Sequence, residues 1–121
     1  MNEDNRLAKT LQELEGEDWG EPVHNTALIA KCHQLRRVPL KDFTAEELRL
    51  MLGQRIGLPY LVPIALSILQ VNPLTEGNMY PGDLLNSVCR VPEQFWDNHP
   101  ELKVRLDGIM EHAHLSTNKR L

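Results

Sequence analysis

Apolar residues, mostly leucines, recur at steps of three and four along nearly the whole chain with charged residues between them, which is the period of an amphipathic helix. Residues 5–15 place Leu7, Leu11 and Leu14 on one stripe and predict a first helix stopped by Gly16, followed by a loop from Glu17 to Asn25 that holds Trp19, Gly20 and Pro22. Asn25 or Thr26 caps a second helix with Leu28, Cys32 and Leu35 on one face, and Val38-Pro39 ends it, since proline disfavours helix at the residue before it. In Phe43-Thr44-Ala45-Glu46-Glu47-Leu48, the Thr44 hydroxyl can accept from the Glu47 amide while the Glu47 carboxylate accepts from the Thr44 amide. This is a capping box, with Phe43 and Leu48 as its hydrophobic staple, and Leu48, Met51 and Leu52 continue the apolar face to Gly53 or Gly57.

Tyr60 to Val71 is apolar almost all round, with Ser67 and Gln70 its only clearly polar side chains, so it is predicted as a buried central helix with Pro59 and Pro63 in its first turn. Asn72-Pro73 ends it, Leu74 to Gly82 forms a loop, and Asp83 caps a short helix bearing Leu84, Leu85 and Val88. A brief helix around Glu93 to Asp97 carries Phe95 and Trp96. His99-Pro100 opens the last helix, with Leu102, Leu106, Ile109 and Ala113 on one stripe, and residues 116–121 read as a frayed tail. No stretch alternates with period two over strand length. The predicted fold is all-α, a single compact bundle of about six helices, with residues 1–121 forming one domain around the helix Tyr60 to Val71.

A chain of 121 residues suits one core, and an aromatic share of 5% leaves leucine to supply most of its volume, which favours helices. The net charge of −4 is unevenly spread. Glu3, Asp4, Glu13, Glu15, Glu17, Asp18 and Glu21 face only Arg6 and Lys9, so residues 1–21 carry −5 and the remainder +1. Such a segment attracts basic partners and repels phosphate backbones, which weighs against direct nucleic-acid binding. Arg36, Arg37 and Lys41, with Arg49 and Arg55, keep a small helical DNA-binding regulator among the alternatives, beside a protein-binding adaptor. Cys32 and Cys89 form no C-x-x-C pair and read as buried thiols. No greasy stretch is long and unbroken enough to span a bilayer, and the N-terminus lacks an apolar signal segment, so the expected location is the cytoplasm.

Candidate chemistry is sparse. Cys32 and His33 are neighbours on a helix and point about 100° apart, so they cannot form a nucleophile–base pair. The histidines form no metal-binding motif; Glu111 and His114 have the spacing of a di-metal helix without the further carboxylates such a site needs. No glycine cluster could cradle a phosphate. The expectation is a non-enzymatic protein with no cofactor and no metal.

From Leu35 to about Leu106 the residues Leu35-Arg36, Leu48-Arg49-Leu50 through Gly53-Gln54, Ile56-Gly57-Leu58, Leu61-Val62-Pro63, Ala65-Leu66, Asn72-Pro73-Leu74, Glu76-Gly77, Tyr80-Pro81-Gly82-Asp83-Leu84-Leu85, and Phe95-Trp96 with His99-Pro100 follow one another in a telling order. In this the chain resembles the all-helical immunity proteins of bacterial contact-dependent growth inhibition systems. Asn78 and Gln70-Val71 are less acidic than that likeness leads one to expect, and residues 1–25 carry no matching motif, as suits a variable, acidic, partner-specific segment. The resemblance implies a protein that binds and neutralises the toxin domain of a growth-inhibition effector. A nuclease toxin would be basic, and the acids Glu13, Glu15, Glu17, Asp18 and Glu21 would steer onto it, with Trp19 as the anchoring side chain.

Overall fold

The computed structural model describes residues 6–21 and 26–118. Seven α-helices occur among them: α1 (Leu11–Glu15), α2 (Ala27–Leu35), α3 (Ala45–Gly53), α4 (Leu58–Val71), α5 (Asp83–Cys89), α6 (Glu93–Asn98) and α7 (Pro100–Asn118), with a 3-10 turn at Leu40–Asp42 before α3. Among the described residues the sole β-type pairing is an isolated bridge between Glu76 and Pro81. The predicted all-α bundle is what the chain forms.

The predicted capping box at Thr44 is present. Thr44 Oγ1 accepts from the Glu47 amide at 3.1 Å and Glu47 Oε1 from the Thr44 amide at 3.0 Å. A second box, in Thr10-Leu11-Gln12-Glu13, divides the helix expected over residues 5–15: Thr10 caps α1 with Glu13 as its partner. Its signature was as readable as the one at Thr44. Thr26 caps α2, while Asn25 lies outside the described residues.

Three local expectations are corrected. Gly57, at φ +66, turns the chain into α4 at Leu58, so Pro63 stands inside the helix rather than in its first turn. Having no amide hydrogen, Pro63 cannot give the Pro59 carbonyl its helical hydrogen bond. Cys89 ends α5 on the exposed edge, with its Sγ 3.5 Å from Met110 Sδ, and Cys32 alone is buried. Leu28 is exposed because it sits in the first turn of α2, beyond the reach of the core that receives Cys32 and Leu35.

The buried hydrophobics form one cluster. At its centre α4 contributes Leu61, Val62, Ala65, Leu66 and Leu69, and α3 contributes Leu48, Met51 and Leu52. Helix α3 packs against α5, α4 and α2, and α4 packs in turn against α5 and α7. Burying each of the leucines, Val62 and Met51 contributes roughly 1.5–3 kcal/mol to the hydrophobic term, and Ala65 less. At the far end Trp96 Nε1 donates to the Val91 carbonyl at 3.2 Å, and Phe95 stacks on His99 at 4.3 Å, fixing the α6–α7 corner.

The acidic N-terminal segment is fastened to this body by backbone and by core. The Gln12 amide donates to the Arg36 carbonyl at 3.0 Å, and the Leu40 amide to the Lys9 carbonyl at 2.9 Å. Leu11 is fully buried against Gly57, where a Cβ would lie 2.7 Å from Leu11 Cδ1. No helix among the described residues is long and apolar enough to cross a membrane.

Candidate protein-binding surface

The C-terminal end of α2 gathers the acidic segment. Arg36, 1% exposed, forms an ion pair with Glu15 and donates from Nη2 to the Glu17 carbonyl at 2.7 Å. Its guanidinium carbon lies 4.1 Å from the Trp19 ring centroid, so the indole face supplies negative charge density where the buried Nε finds no hydrogen-bond acceptor. Trp19 also meets His33 edge-on at 5.4 Å. His33 Nδ1 donates to the Gly20 carbonyl at 3.0 Å, which fixes the proton on that nitrogen. Arg37 reaches Asp18 at 3.6 Å and Glu21 at 4.0 Å, and Asp18 Oδ1 accepts from the Gly20 amide at 2.7 Å.

The six residues singled out in the sequence therefore part company. Glu15, Glu17, Asp18, Trp19 and Glu21 come together around Arg36 and Arg37, whereas Glu13 is turned back onto Thr10 in the α1 capping box. The charges of Glu13 and Glu15 serve the fold. Asp18 and Glu21 share Arg37, yet they and Glu17 remain exposed, beside Trp19, which is 39% exposed. The same arrangement removes much of the basic group that kept a DNA-binding regulator in view, since Arg36 is buried and Arg37 is engaged with acids.

A second constellation escaped the sequence reading. Asp83, expected to cap α5, stands inside that helix at its first residue, behind Gly82 at φ +90, and its buried carboxylate faces the preceding loop. There it accepts from the amides of Gly77 at 2.6 Å, Met79 at 2.9 Å and Tyr80 at 3.4 Å. Glu46 Oε1 accepts from the Asn78 amide at 2.8 Å, and Arg49 bridges the two carboxylates, at 2.5 Å from Glu46 and 3.8 Å from Asp83. Burial pushes the Asp83 carboxyl up, but the three amides and Arg49 outweigh it and hold it below its ordinary value. The Arg49 hydrogen bond does the same for Glu46, against a smaller upward push from burial. Gly77 fits because a Cβ there would lie 2.6 Å from Glu46 Oε1. The signal available in the sequence was the pair of glycines at 77 and 82 with a lone Asp83 after them.

Among the described residues no group of three His, Cys, Asp or Glu side chains could hold a metal ion. What this end of α2 presents outward is a half-exposed tryptophan among acids. A family model described as CDI immunity proteins matches residues 13–106, and the chain belongs to that family, the immunity proteins of contact-dependent growth inhibition, whose role is protection against a CDI toxin. The match begins at Glu13, so it takes in every acid gathered around Arg36 and Arg37 and extends the likeness well ahead of Leu35. No curated protein and no solved structure matches the chain.

Proposed function

We propose that the toxin neutralised by this chain is a basic nuclease domain at the C-terminus of its effector, and that Glu17, Asp18 and Glu21 with Trp19 make the contact while Glu13 and Glu15 hold the segment in shape. The observation that carries this reading is the fastening of solvent-facing acids and a half-exposed tryptophan at one end of α2. A nuclease site must be lined with cations to hold phosphate, so an acidic surface is steered onto it and competes with its substrate. A partly buried aromatic then slows release. In this reading the chain acts in the cytoplasm, makes and breaks no covalent bond, and needs no cofactor.

The test is co-expression with the toxin domain encoded directly upstream, scored by survival and co-elution, followed by nucleic-acid degradation by the purified toxin with and without one equivalent of the chain. Glu17→Lys combined with Glu21→Lys should slow association about tenfold or more at low salt and flatten its salt dependence. An unchanged rate and salt slope removes the acidic contact. A toxin domain that degrades no nucleic acid removes the nuclease reading.

A further inference from the structure

The loop 74–82 is held in place from beneath. Its amides are held by two carboxylates, one of them buried, with Arg49 as counter-charge, and taking such groups out of water costs desolvation. What this produces is a fixed shape. Meanwhile its large side chains are left outside: Met79 is 64% exposed and Tyr80 46%, and Val71, which ends α4 just ahead of the loop, is 86% exposed. The Tyr80 hydroxyl is itself positioned, accepting from Asn86 Nδ2 at 2.8 Å. A preordered loop meets a partner without a loop-ordering cost, and tyrosine and methionine are side chains enriched where interfaces are driest.

We infer that Met79 and Tyr80 form a second contact with the cognate toxin domain, entering an apolar recess whose rim is basic; this rests on the reading of that toxin given above. Charge selects the occupant. Glu76 is the one side chain of residues 72–82 charged at neutral pH and is exposed, and Arg49 answers only one of the two carboxylates, Glu46 and Asp83, beneath the loop, so the loop and its support carry net negative charge, as the segment around Trp19 does. A second copy of this chain would bring two such negative loops together, which disfavours self-association. Helix α2 joins the two surfaces: it places His33 against Trp19 and pairs Lys31 at 3.4 Å with Glu47, the neighbour of the Glu46 that holds Asn78. The loop thus supplies the uncharged half of a contact whose charged half is the N-terminal segment. Asp83 is its positioning residue.

The experiment uses the full chain with Met79→Ser and Tyr80→Ala, singly and together, against the purified toxin domain encoded upstream, and reads dissociation, association and thermal unfolding. The double variant should unfold as the parent does, associate at the parent rate with the parent salt dependence, and be released about tenfold faster or more. Unchanged release from the double variant overturns the loop contact. The pair Glu17→Lys and Glu21→Lys is run alongside. If that pair slows association while the loop variant releases normally, the loop contact alone is lost; if the loop variant releases fast while the lysine pair associates normally, the loop contact stands and the acidic one is lost. Light scattering covers the remaining occupant: a dimer in the parent that the double variant abolishes would overturn the assignment to the toxin.

Discussion

The guanidinium of Arg36 lies 4.1 Å over the ring of Trp19 while its nitrogens hold Glu15 and the Glu17 carbonyl, so one buried cation ties helix α1 and the acidic loop to the end of α2. Glu15 remains partly exposed, which lessens what its pairing is worth. Arg36→Met, which keeps bulk and removes the charge, should therefore lower stability by about 2 kcal/mol in urea unfolding. It should also shift part of the tryptophan emission to the red as Trp19 is freed, because Trp96 stays buried on the Val91 carbonyl.

Gly57→Ala should be among the most damaging small substitutions. It places a Cβ 2.7 Å from Leu11 Cδ1 and forces alanine to φ +66, together costing about 2–4 kcal/mol. Leu11→Ala on its own should cost about 2–4 kcal/mol as a core deletion. Chemical denaturation of the double variant should show a loss smaller than the sum by about 1–2 kcal/mol, because the clash disappears while the backbone strain remains.

Acid should loosen the loop 74–82. Asp83 and Glu46 both titrate below their ordinary values in the folded chain, so the unfolded chain binds these protons first as pH falls. Their contribution is complete above the ordinary carboxylate range near pH 4 and is lost as pH drops through the lower folded values. Through these groups the unfolding midpoint should hold from pH 7 to about pH 5 and decline below about pH 4. Asp83→Asn should cost about 2 kcal/mol at neutral pH, since an amide offers one acceptor oxygen to three backbone donors, and should flatten the acid decline.

The acids of the N-terminal segment should separate in a stability series. Glu13→Lys breaks a capping box and Glu15→Lys opposes Arg36, so each should lower the thermal midpoint by the equivalent of about 1–2 kcal/mol. Glu17→Lys and Glu21→Lys should stay within about 0.5 kcal/mol of the parent. Thr44→Ala, which removes the same kind of cap from α3, sets the scale at about 1 kcal/mol.

The helices were legible because their signals are local: the Thr44–Glu47 box, the leucine stripe of α7, and the Val38-Pro39 pair that closes α2 are each written within a few residues. The charged residues were not. Arg36 reads as part of a basic group in sequence and becomes a buried cation only because α1 folds back across the end of α2, a contact between residues about twenty apart. Asp83 has the place and chemistry of a helix cap, yet three amides upstream compete for its oxygens, and that competition depends on the turn that Gly77 and Gly82 allow. The acidic segment was found as a charge imbalance; which of its acids brace the fold was decided by pairing that composition does not record.

Much of the anchorage of the acidic loop runs through main-chain oxygens: those of Glu17 and Gly20 take the bonds from Arg36, Arg37 and His33. A carbonyl is supplied by whatever amino acid occupies the position. Position 17 can consequently take another side chain while its carbonyl still receives Arg36, so the charge displayed there can be rewritten without the body having to be rebuilt.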